Sequence, residues 1–517
     1  MKNITYKNRI FKAALLAAVL LAGCSDFLDN PLENQTPSVQ IDYTDLNRMY
    51  QPVSGVYSSV TKGGFASWVH TFLKTSQSED IDPRTGYSEV NELVHNYKSG
   101  AVIKGFWALD DLWSRYYGSV LTCNSALAEL DKFAANIGDG DQANKQLLAR
   151  YQAEVRFFRA LLHYYIARSF GDVPVLGVES VDPGYLGTVG KTPVADVRQH
   201  VISEMDFCIA NLEDARPNQA AHQGGVTKYT ALFLKAKAAM DLAGNDNGSP
   251  HWDVVLESTD QIINSNRFSL FEDYYQLWKK PGKMCDESIL ELQYSDFGNP
   301  TGDVVMSGGQ VWDNLFLFQA PQNTYGAPIN GDGWLIPSDE AVRFLTGRKD
   351  DIRLKTAVQH CGIDGRPGTF SVTPDGDTIS GNTAGKKYFN GKAYFPKSQM
   401  TPGRVDWYGA NNNVRVFRYA EALLMNSEAR IRKGQNGDAP LNLVRTRVGL
   451  APLVNATIPQ LMDERRAEFI CEWWGERFND LVRTDQAATV LSGFVKGESE
   501  FFPIPQVQED RNTNLKD

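Results

Sequence analysis

Two long runs with helical spacing, separated by a short glycine-rich break, constrain the fold of this chain more than any other feature. From Trp107 to Phe133, Trp113, Tyr117, Val120, Leu121 and Leu127 recur near the spacing of one helix face, and Gly138 to Asp141 interrupts them. A second helix is expected from about Asn144 to Phe170. Ala153, Phe157, Ala160, Leu161, Tyr164 and Tyr165 form its apolar stripe, and Gly171 stops it. Asp172-Val173-Pro174-Val175 then leaves in extended form, the bias of a residue before proline. Further helices are expected at about Val194–Leu212, Thr227–Leu242 and His251–Ile263.

Helix pairs of roughly 35–45 residues, with small residues where helices would touch, suggest tetratricopeptide-like stacking. Such pairs bury their faces by packing on neighbours and on whatever covers the ends. From about Phe268 to Trp407 the character changes: glycine, asparagine, aspartate and proline are dense. Short strand-like runs such as Ser288–Leu292 appear, and Thr373-Pro374-Asp375-Gly376-Asp377-Thr378 carries hairpin-turn chemistry. One helix, about Ser338–Leu345, interrupts this stretch. Helix returns with the stripe Tyr419, Leu423, Leu424, Ser427 and Ile431, which Gly434 caps. Pro440–Val448 makes its partner, Ile458–Arg483 supplies a last long pair, and Phe501–Pro505 is extended.

The amino terminus reads as an export signal. Lys2, Lys7, Arg9 and Lys12 precede a ten-residue apolar run, Ala13–Ala22, too short to span a bilayer. Leu21-Ala22-Gly23-Cys24 then follows the lipobox pattern, which predicts acylation of Cys24; two or more long chains hold a protein stably on a membrane. Residues 1–23 are therefore expected to be a signal peptide and residues 24–40 an acidic, polar tether. Removing residues 1–23 takes away four positive charges and no negative ones, so the net charge moves from −10 to −14. That argues against nucleic acid and anionic lipid headgroups as partners, because both need a basic face.

The other five cysteines, Cys123, Cys208, Cys285, Cys361 and Cys471, are far apart and form no CxxC pair. Cys123, Cys208 and Cys471 fall in helical patterns and are expected in the core. No HExxH, GxSxG elbow, Walker loop or strand–GxGxxG–helix unit occurs. Glu464, Glu468 and Glu472 share one helical face, and paired carboxylates are what a glycosidase needs. Arg465, Arg466, Arg477 and Arg483 lie close by, which favours ionised carboxylates in helix-to-helix ion pairs over a general acid. The Asn245-Asp246-Asn247-Gly248 turn offers oxygen ligands but lacks the bidentate glutamate of an EF-hand, so it is read as a plain turn. No cofactor is expected, and structural calcium is not predicted.

Sugar rings present apolar C–H faces ringed by hydroxyls, and a site for them combines flat aromatic platforms with planar hydrogen-bonders. Two stretches offer that mixture outside obvious helical stripes. One holds Trp68, Asp80, Arg84, Tyr87, Asn96 and Tyr97; the other holds Trp312, Asn323, Tyr325 and Trp334. Trp113, Tyr164, Trp473 and Trp474 fall in helices and are expected in the core.

Ala153-Glu154-Val155-Arg156-Phe157-Phe158-Arg159-Ala160 with Phe170-Gly171-Asp172-Val173-Pro174 resembles the first helical signature of the SusD/RagB family. Arg418–Met425, Glu428-Ala429 and Leu441–Leu450 resemble the second. Glu464–Phe469, Gly475–Arg483 and Phe502-Pro503-Ile504-Pro505 are similar to the third, although Trp473-Trp474 departs from the smaller residue usual before that glycine. The order and spacing cover nearly the whole chain after the signal.

The resemblance implies an all-α fold of tetratricopeptide-like helix pairs carrying an irregular loop-rich subdomain with a few short strands. A SusD-like domain would span 41–517, with a helical scaffold at about 41–267 and 408–490 and a ligand-side insertion at about 268–407. It also implies an outer-membrane lipoprotein at the cell surface that captures oligosaccharides without cleaving them. Its partner would be a SusC-like TonB-dependent transporter. Within the family the ligand surface draws on the same two aromatic-rich stretches, and Asp80 sits where a polar ligand-side residue is frequent. The competing readings are a tetratricopeptide scaffold or peptide-capturing transporter lid, and a surface glycoside hydrolase or peptidase.

Overall fold

The long helices that the sequence pattern announces pack one on the next in a continuous order, and shorter elements that it does not announce close the gaps between them. The computed structural model describes residues 41–61, 65, 68–82, 104–181, 183–294, 319–321, 326–328, 331, 333, 335–382, 385–400 and 412–516. Residues 1–48 and 49–517 form separate units, and the helical scaffold belongs to the second. Two helices not expected from the sequence come first, α1 (Tyr50–Ser59) and α2 (Trp68–Thr75). The two long helices come next, as α3 (Trp107–Ala134) and α4 (Gln142–Phe170).

Helix α4 starts where the Asp141 side chain accepts the backbone N–H of Asn144 at 3.1 Å. It ends at Gly171, whose φ of +75° only glycine adopts freely. From Ala153 to Phe170 nearly every side chain is buried, because α3 packs on one side of it and α5 (Val194–Asn211) on the other. The order then runs through α6 (Lys228–Ala243) and α7 (His251–Asn264), each packed on its predecessor. Helix α7 hands over to α10 (Tyr419–Arg432), skipping the whole insertion, and α11 (Asp438–Arg447) and α12 (Ile458–Phe469) pack on α10. A short α13 (Glu476–Arg483) and a terminal α14 (Gln506–Arg511) complete the scaffold. Among the described residues no helix is long and apolar enough to cross a membrane.

The insertion contributes α8 (Asp339–Gly347), α9 (Asp351–Ala357) and most of the strands. These pair two by two: β1 (Ile81–Asp82) with β3 (Ile336–Pro337), β2 (Ser288–Leu292) with β8 (Val414–Arg418), β4 (Val358–His360) with β7 (Tyr388–Asn390), and β5 (Phe370–Val372) with β6 (Thr378–Ser380). All four pairs are antiparallel. The expected turn at Thr373–Thr378 closes the β5–β6 hairpin, with Gly376 at a φ of +91° and the Thr373 N–H on the Asp377 carbonyl at 2.8 Å. The buried β2–β8 pair joins the two ends of the insertion beneath it.

Three expectations are corrected in the last helical segment. Helix α12 stops at Phe469, so Glu472 does not share its face with Glu464 and Glu468. Cys471, Trp473 and Trp474 are buried as expected, but in the turn between α12 and α13 and not in a helix. Cys471 takes a φ of +63° there, and both indole N–H groups donate to the Arg415 carbonyl, at 3.2 and 2.7 Å. The turn before α7 is plain in a specific sense: Arg432 donates to the side-chain oxygens of Asn245 (2.9 Å) and Asn247 (2.8 Å), so a guanidinium takes the oxygens a cation would need.

A network of buried ion pairs binds the insertion to the scaffold. Glu468 of α12 receives Arg418 at 2.6 Å, Arg353 at 2.6 Å and Arg447. Glu287 bridges Arg418 (2.9 Å) and Arg447 (2.6 Å), and Glu464 takes Arg348, Arg353 and Arg445 at 2.5, 2.8 and 2.7 Å. Glu472 joins from its turn through Arg418 (2.7 Å) and Lys392 (2.9 Å). Burial alone would raise the Glu468 carboxyl, but Arg447, Arg418 and Arg353 outweigh it and hold it well below the usual carboxylate range. Replacing Glu468 by glutamine leaves three buried guanidinium groups short of a carboxylate. The expected cost is about 3–5 kcal/mol in urea unfolding. Lys496→Ala, which breaks an exposed pair with Asp485, should leave the midpoint where it is.

Candidate functional site

The β1–β3 ladder is two residues long on each side, and it holds together the two stretches that carry the aromatic and amide residues. Asp82 pairs with Ile336 and Ile81 with Pro337. The first stretch leaves the described residues just after Asp82; the second returns to them at Leu335, just before Ile336. Further hydrogen bonds tie the ladder down on its inner side. The Ser338 N–H donates to the Asp80 carbonyl at 2.9 Å, and the Ser338 hydroxyl to the Glu79 carbonyl at 2.7 Å. The same hydroxyl caps α8 by accepting the Ala341 N–H.

The second stretch is closed at its base by described neighbours. The Gly331 N–H donates to the Pro321 carbonyl at 3.2 Å and the Gly333 N–H to the Ala320 carbonyl at 2.8 Å. A Cβ on Gly331 would lie 2.2 Å from the Ala320 oxygen, so only glycine permits this approach. Asn390 fixes the other side, donating to Gln319 at 2.6 Å and to the Cys471 carbonyl at 2.8 Å. Lys386 reaches the Gly333 carbonyl at 2.9 Å.

Of the ten sequence-derived ligand residues, Asp80 is the one whose side chain the structure describes. It is buried, and Arg466 of α12 grips it with Nη2 at 2.7 Å and Nε at 3.1 and 3.2 Å. The same guanidinium lies 3.5 Å from Glu79 and 3.6 Å from Glu340 of α8, and stacks over the Phe344 ring at 3.9 Å. Arg477 of α13 completes the clamp on Glu79 at 2.7 Å. Asp80 thus braces the base of the ladder through an ion pair. The Trp68 backbone opens α2, a helix and not the loop expected from its surroundings. Arg84, Tyr87, Asn96, Tyr97, Trp312, Asn323, Tyr325 and Trp334 lie outside the described residues, as does Cys24.

Arg466 is the positioning residue that sequence reasoning placed in an ion pair without its partner. Asp80 stands 386 positions away, and no local pattern announces so distant a pairing. The carboxylates that suggested catalysis are likewise committed: Glu464, Glu468 and Glu472 each meet at least two cationic side chains.

Burial, and then the neighbouring Glu79 carboxylate, push the Asp80 carboxyl up to about 6 from 3.8, against the pull of Arg466. The folded protein therefore keeps a proton that the unfolded chain releases between about pH 4 and 6. This contribution to stability is present at pH 4 and is lost as the pH rises through 6. Asp80→Asn, which cannot ionise, is expected to flatten that part of the profile, so that wild type loses about 2–3 kcal/mol relative to the variant between pH 4 and 7 in urea titrations. An Arg466→Met chain, whose Asp80 lacks its cation, continues to lose stability to higher pH than wild type.

Known proteins share this architecture. Residues 367–500 match the family model described as the SusD family. The chain is 25% identical over 98% of its length to 98% of SusD-like protein P2 of Formosa agariphila, and spans about half the length of SusD-like protein P25 of the same organism. It is 24% identical, over 71% of its length and 72% of the relative's, to the starch-binding protein SusD of Bacteroides thetaiotaomicron. Its fold superposes with a TM-score of 0.71 on the surface glycan-binding protein A of Bacteroides thetaiotaomicron in complex with laminarihexaose, at 22% identity, covering 91% of this chain and 98% of that one. The chain is similar to SusD-family proteins and shares their helical fold.

Proposed function

We propose that this chain is a cell-surface lipoprotein that captures oligosaccharides or polysaccharides without cleaving them and passes them to a TonB-dependent outer-membrane transporter. The observation that carries the reading is the β1–β3 ladder: it ties Ile81 and Asp82, within the first aromatic-rich stretch, to Ile336 and Pro337, just past the second, on a base fixed by Arg466 and Asp80. Sugars bind through many weak contacts, and contacts add up only where their backbone anchors are already in place. The relatives support the ligand class, one named for starch and another complexed with laminarihexaose. The arginines around Glu464 and Glu468 hold both carboxyls below their usual range, which supports capture over hydrolysis, since a glycosidase acid needs a raised pKa.

Within this reading, Trp68, Arg84, Tyr87, Asn96 and Tyr97 contact ligand from the first stretch, and Trp312, Asn323, Tyr325 and Trp334 from the second. Cys24 carries the lipid anchor. The lipobox before it and the acidic residues after it support export to the outer face of the outer membrane.

Residues 25–517 should be retarded in native gels that contain one class of polysaccharide in a panel including starch, laminarin, xylan and mannan. Trp312→Ala or Trp334→Ala should weaken that retardation while leaving the melting temperature unchanged. A folded protein that no polysaccharide retards overturns glycan capture in favour of a peptide-capturing lid or a protein scaffold. For the anchor, Cys24→Ala should move the full chain from the detergent phase to the aqueous phase in a phase-partition assay; a variant that stays with detergent refutes lipidation there.

A further inference from the structure

The β5–β6 hairpin presents an apolar face that its own core does not use. Phe370 is 63% exposed and Val372 70% exposed, and as residues i and i+2 of one strand they stand on the same side. Between them Ser371 faces inward, where its hydroxyl donates to the His360 carbonyl at 2.6 Å and accepts the Gly362 N–H at 3.1 Å. Across the ladder Ile379 is fully buried with Ala327, Cys361, Phe389 and Tyr394. The hairpin is thus fixed from below, and its outer side chains are not core residues left without a place.

That face borders a groove of about 280 Å³, in which Ile363, Phe370 and Val372 meet Gln359, His360 and Asp364. An exposed aromatic ring offers a stacking surface for the C–H face of a sugar. The imidazole and carboxylate beside it supply donors and acceptors for ring hydroxyls. Three apolar side chains among such polar groups make too small and too polar a patch for the core of a stable protein interface. The hairpin also touches the second ligand stretch. Thr378, the cross-strand partner of Val372, presses its carbonyl on Gly326, where a Cβ would come within 2.7 Å. Gly326 directly follows Tyr325.

We infer that this hairpin face is an additional carbohydrate-contact site, which takes one or two neutral sugar rings of a chain whose neighbouring units occupy the ligand-side stretches. Phe370 is the stacking platform, and His360 and Asp364 are the hydrogen-bonding rim. The inference rests on the capture reading and adds a location to it.

The test compares residues 25–517 as wild type, Phe370→Ala, Phe370→Tyr and Trp334→Ala in native gels containing starch, laminarin, xylan or mannan, with melting temperatures recorded for each. Phe370→Ala should weaken the affinity for the retarding polysaccharide about three- to tenfold, and Phe370→Tyr, which keeps the ring, should retain it. Wild-type retardation that Phe370→Ala leaves unchanged overturns the hairpin site alone and leaves capture standing. A wild type that none of the gels retards removes the capture reading and the hairpin site with it.

Discussion

Glu468 is the group on which the arrangement of this protein most depends. One carboxylate, with no exposure, receives guanidinium groups from α9, β8 and α11, three elements that the sequence scatters over almost a hundred residues. Taking so many charges out of water is costly, and the cost is offset only when every partner is present and well placed. A partial assembly therefore has little to recommend it, and this gives the network its selectivity. The insertion, through Arg353, and the returning chain, through Arg418 of β8 and Arg447 of α11, must reach α12 in one register or leave buried charge unmatched. Tyr274 steadies the same residue from its backbone side, donating to the Glu468 carbonyl at 2.9 Å.

A second network applies the same logic to the other side of the scaffold. Glu476 at the start of α13 accepts Arg168 of α4 at 2.9 Å and Lys237 of α6 at 2.8 Å, while Glu421 of α10 shares that lysine at 2.6 Å. Arg465 meets Asp480 at 2.7 Å, and Arg483 spans Asp480 and Glu428. Helices α12 and α13 thus look both ways: Glu464 and Glu468 toward the insertion, and Arg465 and Glu476 toward the other scaffold helices. Arg466, on a third side, holds Asp80 and the ladder. A twenty-residue segment from Glu464 to Arg483 connects the helical array to the loops that it carries.

How much of this could be read from the sequence depends on the range of the forces involved. Helices α3 to α7 were legible almost to the residue, because helical spacing and local stop signals such as Gly171 act within one turn of chain. The hairpin at Thr373–Thr378 was legible for the same reason. The ion pairing of Glu464 and Glu468 could be foreseen from neighbouring arginines, but not its partners, since Arg353 and Arg418 lie far along the chain. Helix α2 escaped because Trp68, His70 and Lys74 disguise an inward-facing helix as a polar loop; burial of His70 and Lys74 is a tertiary fact. The break after Phe469 escaped because the α12 pattern continues in charge through Glu472, while the chain turns at Cys471 to seat two tryptophans on the Arg415 carbonyl. Asp80 shows the limit most clearly: a polar residue in an aromatic-rich stretch looks like a ligand contact until its distant arginine is found.

That limit also explains the division of labour in the molecule. On the capture reading, a surface that takes a hydrated, flexible sugar chain gains from anchors placed outside the contact itself. Gly331 on Ala320, Ser338 on Asp80 and Arg466 on Asp80 act beside the two aromatic-rich stretches, where desolvation strengthens each bond. Preorganisation of this kind lowers the entropy lost on binding without requiring the contact residues to be rigid. Through Arg466 on Asp80 and Arg477 on Glu79, the buried charges of α12 and α13 hold the residues that lead into β1.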